Sequence, residues 1–160
     1  MSGSKFIPPS KKGEESDSQE INITITVKAT AAEIWRALTD TDDLENWWGD
    51  DVTLEPKVGG KFREAWEDDE GDEQLASGKV LSLVPNKTIT FTWREKTWDA
   101  KASTECTYTI EDKGKTRTMT VTHKGWEVFP EKMSAKLQKD FQLGWKYHMQ
   151  ELKAYLDDEG

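Results

Sequence analysis

MSAKLQKDFQLGWKYHMQELKAYL, residues 133–156, is the stretch whose reading decides the fold. Met133, Leu137, Phe141, Gly144, Trp145, His148, Leu152, Tyr155 and Leu156 recur at steps of three and four, while Lys136, Lys139, Lys146, Gln150 and Lys153 fall on the other side. That period is an amphipathic helix with one wide apolar face. At ~1.5 Å per residue the rod is ~36 Å long. Its apolar face needs a partner, which predicts a sheet beneath it. Gly144 in mid-helix costs ~1 kcal/mol of propensity and reads as a position where helix and sheet approach closely. His148, near the centre of the stripe, is the feature that plain packing does not explain.

The preceding chain supplies the sheet. Ile21, Ile23, Ile25 and Val27 alternate with polar residues, as in a half-buried strand. Thr30-Ala-Ala-Glu33 is a capping box that starts a short helix carrying Ile34 and Leu38. Asp40–Thr41 begin a second short helix, which Gly49 is expected to stop. Strands then follow through Val52 and Leu54, through Phe62, Glu64 and Trp66, and over Leu75–Val84. Three more run through Ile89, Phe91 and Trp93, through Thr104–Ile110, and through Met119, Val121 and His123. Gly59–Gly60, the acidic run Glu67–Glu73, Pro85–Asn86 and Asp112–Gly114 provide the turns, at the short spacing of antiparallel hairpins. The expected fold is α+β: a curved antiparallel sheet of about six or seven strands, two short helices after the first strand, and a long C-terminal helix across the sheet. Residues 1–20, rich in Ser, Lys and Glu, read as a disordered tail, and 21–160 as one domain.

Composition narrows the function. Among 160 residues the formal net charge is −9, which disfavours nucleic acid or an anionic membrane as partner. There is no apolar run long enough to cross a bilayer, and the single cysteine fits a reducing cytoplasm. Eight Trp and five Phe supply much of the buryable area. Two histidines 25 residues apart and one cysteine have no zinc spacing, and Glu67–Glu73 lacks the spacing of a calcium loop, so neither a metal nor another cofactor is expected.

Several motifs carry a family resemblance. Residues 30–39 (Thr-Ala-Ala-Glu-Ile-Trp-Arg-Ala-Leu-Thr) and Leu44-Glu-Asn-Trp-Trp-Gly49 resemble the opening of the START-like helix-grip (SRPBCC) superfamily. Gly59-Gly-Lys-Phe62, Leu83-Val-Pro-Asn-Lys-Thr-Ile-Thr-Phe-Thr-Trp-Arg94, Val121-Thr-His-Lys-Gly-Trp126 and Gly144-Trp145 resemble the C-terminal domain of the activator of the heat-shock-protein-90 ATPase. The likeness spans about residues 20–156. It implies a sheet gripping the long helix, often around a cavity, and a chaperone and stress-response setting. It also implies three jobs: binding apolar small molecules, acting as a co-chaperone on heat-shock-protein-90, or polyketide cyclase/hydrolase-like catalysis.

The side chains expected to face the gap between sheet and helix are Phe62, Glu64, Trp66, Phe91, Trp93, Cys106, Tyr108, Met119, Val121, His123, Trp126, Phe141, Trp145 and His148. Apolar walls with a few directed polar groups are what a small ligand needs; the same residues could equally fill a closed core. Glu64 with His123 and His148 could do acid–base chemistry only if they converge. No nucleophile motif accompanies them, so no catalytic residue is assigned. Leu143, Tyr147 and Trp98, off the main stripe or in a polar connection, are the candidates for contact with a protein partner. The expectation is a non-enzymatic domain that binds a small apolar molecule or a protein.

Overall fold

Thr30 forms the anticipated capping box: its hydroxyl accepts from the Glu33 backbone N–H (3.1 Å), and the Glu33 carboxylate accepts from the Thr30 N–H (2.8 Å). This local device starts α1 (Ala31–Thr39) directly after β1 (Ile21–Val27). Asp40 then closes α1 and caps α2 (Thr41–Trp47), its carboxylate taking the N–H groups of Asp42 and Asp43. The computed structural model describes residues 20–159, so all but Glu20 of the expected disordered tail lies outside the described residues.

The strands are β2 (Val52–Leu54), β3 (Lys61–Glu67), β4 (Glu73–Val84), β5 (Thr88–Glu95), β6 (Thr104–Asp112) and β7 (Arg117–Lys124). They form one curved seven-stranded sheet in the order β1-β7-β6-β5-β4-β3-β2, antiparallel throughout. The register on β5, β6 and β7 is the one that alternation requires: Phe91 opposes Cys106, and Cys106 opposes His123. All three are fully buried. The outer face carries threonines that pair across strands, Thr24 with Thr120 at 2.7 Å and Thr90 with Thr107 at 2.9 Å. β-Branched residues suit a pleated surface, and their hydroxyls satisfy one another there.

A short 3-10 turn (Trp126–Val128) leads into α3 (Glu131–Glu159), 29 residues that lie over the inner face and pack most extensively on β1. The helix is longer at both ends than its apolar stripe predicts. Met133 is 40% exposed and outside the core, while Met149, which the stripe omits, is fully buried. Lys153 ties α3 to β1 by donating to the Thr26 carbonyl (2.7 Å), and the Tyr155 hydroxyl donates to Asp43 on α2.

One expectation is corrected and one refined. Trp98, proposed as an exposed contact residue, is buried against Trp126, Phe129 and Phe141. Gly49 follows the end of α2 as expected, the helix closing at Trp47 with Trp48 as its cap, but it does so without the left-handed conformation, donating its N–H to the Leu44 carbonyl at 3.2 Å. No helix among the described residues is long and apolar enough to cross a membrane.

Candidate functional site

The inner face divides into a sealed part and an open part. The sealed part is organised by His123. The Trp145 indole can only donate, and its N–H reaches His123 Nδ1 at 3.0 Å. Nδ1 therefore carries the lone pair and Nε2 the proton. Nε2 faces Thr104 Oγ1 at 2.7 Å, and that hydroxyl donates on to the Trp93 carbonyl at 3.1 Å. Burial pushes the imidazole pKa down to about 3, so the ring is neutral near pH 7. Trp93, Trp126, Phe141 and Trp145 surround it. Cys106 and Tyr108, also fully buried, have pKa values raised well above their ordinary ranges by desolvation, so neither is an available nucleophile.

The open part is a cavity of about 290 Å³ between α3 and the β3–β5 end of the sheet. It is at the small end of the ~300–1,000 Å³ typical of ligand pockets. Two β-strand alternations and two helical rows build it. Glu64 and Trp66 come from β3, Trp93 and Glu95 from β5, and Asp140, Phe141, Gly144, Trp145 and His148 from α3. Ala76 on β4 pairs with both Glu64 and Glu95, so the two glutamates share one row across three strands, with a methyl group between them. A spacing of ~4.8 Å per strand puts their backbones ~10 Å apart. Behind the cavity, Trp48 lies 4.7 Å from the His148 ring and 5.6 Å from Trp145.

The electrostatics are unusual for a cavity with aromatic walls. Burial, reinforced by the negative charge of Glu95, raises the Glu64 pKa to about 7. The Trp48 N–H comes near enough to oppose that shift but makes no hydrogen bond of normal geometry. Glu95 is also raised by burial, against a hydrogen bond from the Trp93 indole at 3.2 Å. His148 is lowered to about 4 by desolvation, and its Nδ1 is buried with no hydrogen-bond partner. Asp140 is exposed at the rim and paired with Lys136 at 2.9 Å.

Glu64 thus predicts a pH-dependent stability. Its folded pKa lies above the ordinary value of 4.5, so folding favours the protonated form. That preference is fully present below pH 4.5 and is lost as pH rises through about 7. Glu64→Gln, a mimic of the protonated acid, should therefore gain on the wild type through this window. The gain should level off above about pH 8 at about 2–3 kcal/mol. Urea denaturation from pH 5 to 9 measures it; a gain independent of pH would refute the assignment.

Six of the expected gap residues line the cavity: Glu64, Trp66, Trp93, Phe141, Trp145 and His148. Phe62, Phe91, Cys106, Tyr108, Met119, Val121, His123 and Trp126 lie in the closed core. The structure brings Glu64 and His148 to one cavity and leaves His123 outside it. Glu95 was missed, although it continues the Phe91–Trp93 alternation by one more step of two. Asp140, also missed, shares the i, i+4, i+8 row of Gly144 and His148. Gly144 itself corrects the close-approach reading: a Cβ there would meet nothing within 4 Å, so the position leaves space rather than filling it. A second concavity, about 530 Å³ beside Thr26, Lys28 and Lys153, has no aromatic wall.

A curved antiparallel sheet with a long C-terminal helix across it and two short helices after the first strand defines a START-like helix-grip domain. The chain belongs to the family described as Activator of Hsp90 ATPase homolog 1-like protein, which it matches over residues 28–157. The solution structure of the Aha1 dimer from Colwellia psychrerythraea is 25% identical, with a TM-score of 0.68, covering 86% of this chain and 96% of that one. A Mesorhizobium loti protein is similar at 22% identity and a TM-score of 0.70, covering 87% of this chain and 98% of that one. A Mycobacterium smegmatis protein has 16% identity and a TM-score of 0.72, covering 88% and 92%. No curated protein matches the chain at a significant level.

Proposed function

We propose that this domain binds a small, largely apolar organic molecule in the cavity between α3 and the β3–β5 end of the sheet. The observation that carries the reading is Gly144, a helix-destabilising residue at a site where a side chain would have room. Packing gives no reason for a glycine there, whereas an open cavity does. The volume suits a fragment-sized ligand and is too small for a long lipid.

The two properties of Gly144 make a joint prediction. Gly144→Ala should stabilise the domain by about 0.5–1 kcal/mol, because the helix gains propensity without a clash. Gly144→Leu should keep the fold and occupy the cavity. A fragment library screened by melting temperature should therefore yield aromatic or alicyclic compounds that stabilise the wild type by mass action. Those shifts should disappear in Gly144→Leu. A library without hits, or hits that survive Gly144→Leu, refutes the cavity as the binding site.

A co-chaperone reading has its own support. Besides family membership, α3 presents Leu143 and Tyr147, 61% and 60% exposed and one helical turn apart. Tyrosine is enriched where partners bind. On this reading, added protein accelerates a purified Hsp90 ATPase, and the double change Leu143→Ala/Tyr147→Ala abolishes the effect. An unchanged ATPase rate counts against it.

A further inference from the structure

We infer that the ligand of this cavity is an organic cation: an ammonium group held between the Glu64 and Glu95 carboxylates, with its apolar part against Trp66, Trp93 and Trp145. This deepens the proposed cavity function and rests on it. A ligand with no charge would leave two half-buried glutamates in one row without a counter-charge: the Trp93 indole donates to Glu95, but no basic group acts on either carboxyl group, and carboxylates drawn from water are costly unless a cation pairs with them.

The geometry supports the charge assignment from several sides. No lysine or arginine lines the cavity, and no basic group acts on Glu64. The site therefore lacks the means to hold a carboxylate or phosphate. Three indole walls add the attraction of aromatic faces for a cation, strongest for tryptophan. The charge of −9 on the whole chain steers cations towards it and anions away. A metal ion is a poor fit: among the described residues no group of three or more His, Cys, Asp or Glu side chains is placed to hold one. Glu64 and Glu95 instead stand two strands apart in one row, on either side of Ala76, which suits the larger radius of an alkylammonium head.

A buried cation would also hold Glu64 ionised, replacing the repulsion from Glu95 with attraction. The titratable groups facing the site are Glu64 from β3, Glu95 from β5, and Asp140 with its Lys136 partner and His148 from α3. Of these, Glu64 changes charge near neutrality.

Three matched probes test the inference by calorimetry at pH 7.5: 2-phenylethylamine as the cation, 2-phenylethanol as its neutral isostere, and phenylacetate as the anion. The amine should bind at least ~10-fold tighter than the alcohol, as expected for a charge-assisted pair against a neutral contact, and phenylacetate weakest. Raising the pH from 6 to 8 should tighten the amine but not the alcohol. Glu64→Gln/Glu95→Gln should remove the amine's advantage over the alcohol, because the charge that the ammonium meets has been deleted. Equal binding of amine and alcohol by the wild type overturns the cation inference while the apolar-cavity reading stands. An amine advantage that survives the double substitution overturns it too. Failure of all three probes overturns it as well and, with an empty fragment screen, takes the cavity function with it.

Discussion

Replacing His123 by alanine should destabilise the domain by about 3–5 kcal/mol, through two losses that add. The ring is fully buried among Trp93, Trp126, Phe141 and Trp145, so truncation leaves a cavity that rigid indoles cannot collapse into. The change also orphans the Trp145 N–H and takes from Thr104 Oγ1 the proton of Nε2. A buried donor left without a partner costs about 1–3 kcal/mol by itself. Denaturant unfolding followed by tryptophan fluorescence measures the loss. A value below about 1.5 kcal/mol, the range of a conservative core change, would mean that the relay from Trp145 to Trp93 contributes little.

The same residue gives the acid limb of stability. With a folded pKa of about 3 against an ordinary 6.5, His123 stays neutral in the fold while the unfolded chain takes up a proton. Stability is full above about pH 6.5 and falls as pH drops towards 3. Protonation of Nδ1 would also break the bond from Trp145. His148, lowered to about 4, acts with the same sign over a narrower window. Glu64 acts with the opposite sign, so the two kinds of group partly cancel between pH 4.5 and 6.5.

Gly78→Ala should be at least as damaging, and should prevent folding or remove more than about 4 kcal/mol, the range reserved for disrupted packing or backbone. A Cβ at position 78 would lie 1.7 Å from the Thr92 carbonyl oxygen, inside any tolerable contact. The neighbour is backbone of β5 and cannot rotate away. The close approach lies beside the point where the β4–β5 register shifts, between Val80 and Ser82. Thr92 is held there as well, because its hydroxyl accepts from the Lys79 N–H at 2.9 Å. Relief would require β4 and β5 to separate next to Trp93 and Glu95, which β5 carries into the cavity wall. Gly144→Ala is the control: the same chemical change, with nothing near the new methyl, is expected to stabilise. Soluble yield and midpoint of Gly78→Ala decide the matter; a midpoint near wild type would show that the sheet has slack at the bulge.

The architecture was legible because each element carries its own period. The capping box at Thr30, the alternation of β1 and β5–β7 and the stripe of α3 depend on neighbours in the chain, and local sequence is enough to read them. The α3 stripe was imperfect at two points: Met133 was overvalued because a helix end is decided by what it touches, whereas Met149, four residues after Trp145 and three before Leu152, lay on the period and could have been read. Trp98 shows the same limit: a tryptophan in a polar connection gives no sign that Phe129 and Phe141 will cover it.

The sequence by itself determined the sheet, the long helix and, on every strand but β4, which face turns inward. It could do so because periodicity is a property of the backbone and of apolar spacing. Only the tertiary structure decided which inward residues fill and which line. That depends on the curvature of the sheet and the distance of α3 from it, and neither quantity is carried by any short segment. Phe62, Phe91 and His123 fell within the closed part, where α3 delivers Trp145. Glu64, Glu95 and His148 fell where α3 presents Gly144 instead of a side chain. Strand alternation turns Phe62, Phe91 and His123 inward just as it does Glu64 and Glu95; the space beside a missing Cβ separates them.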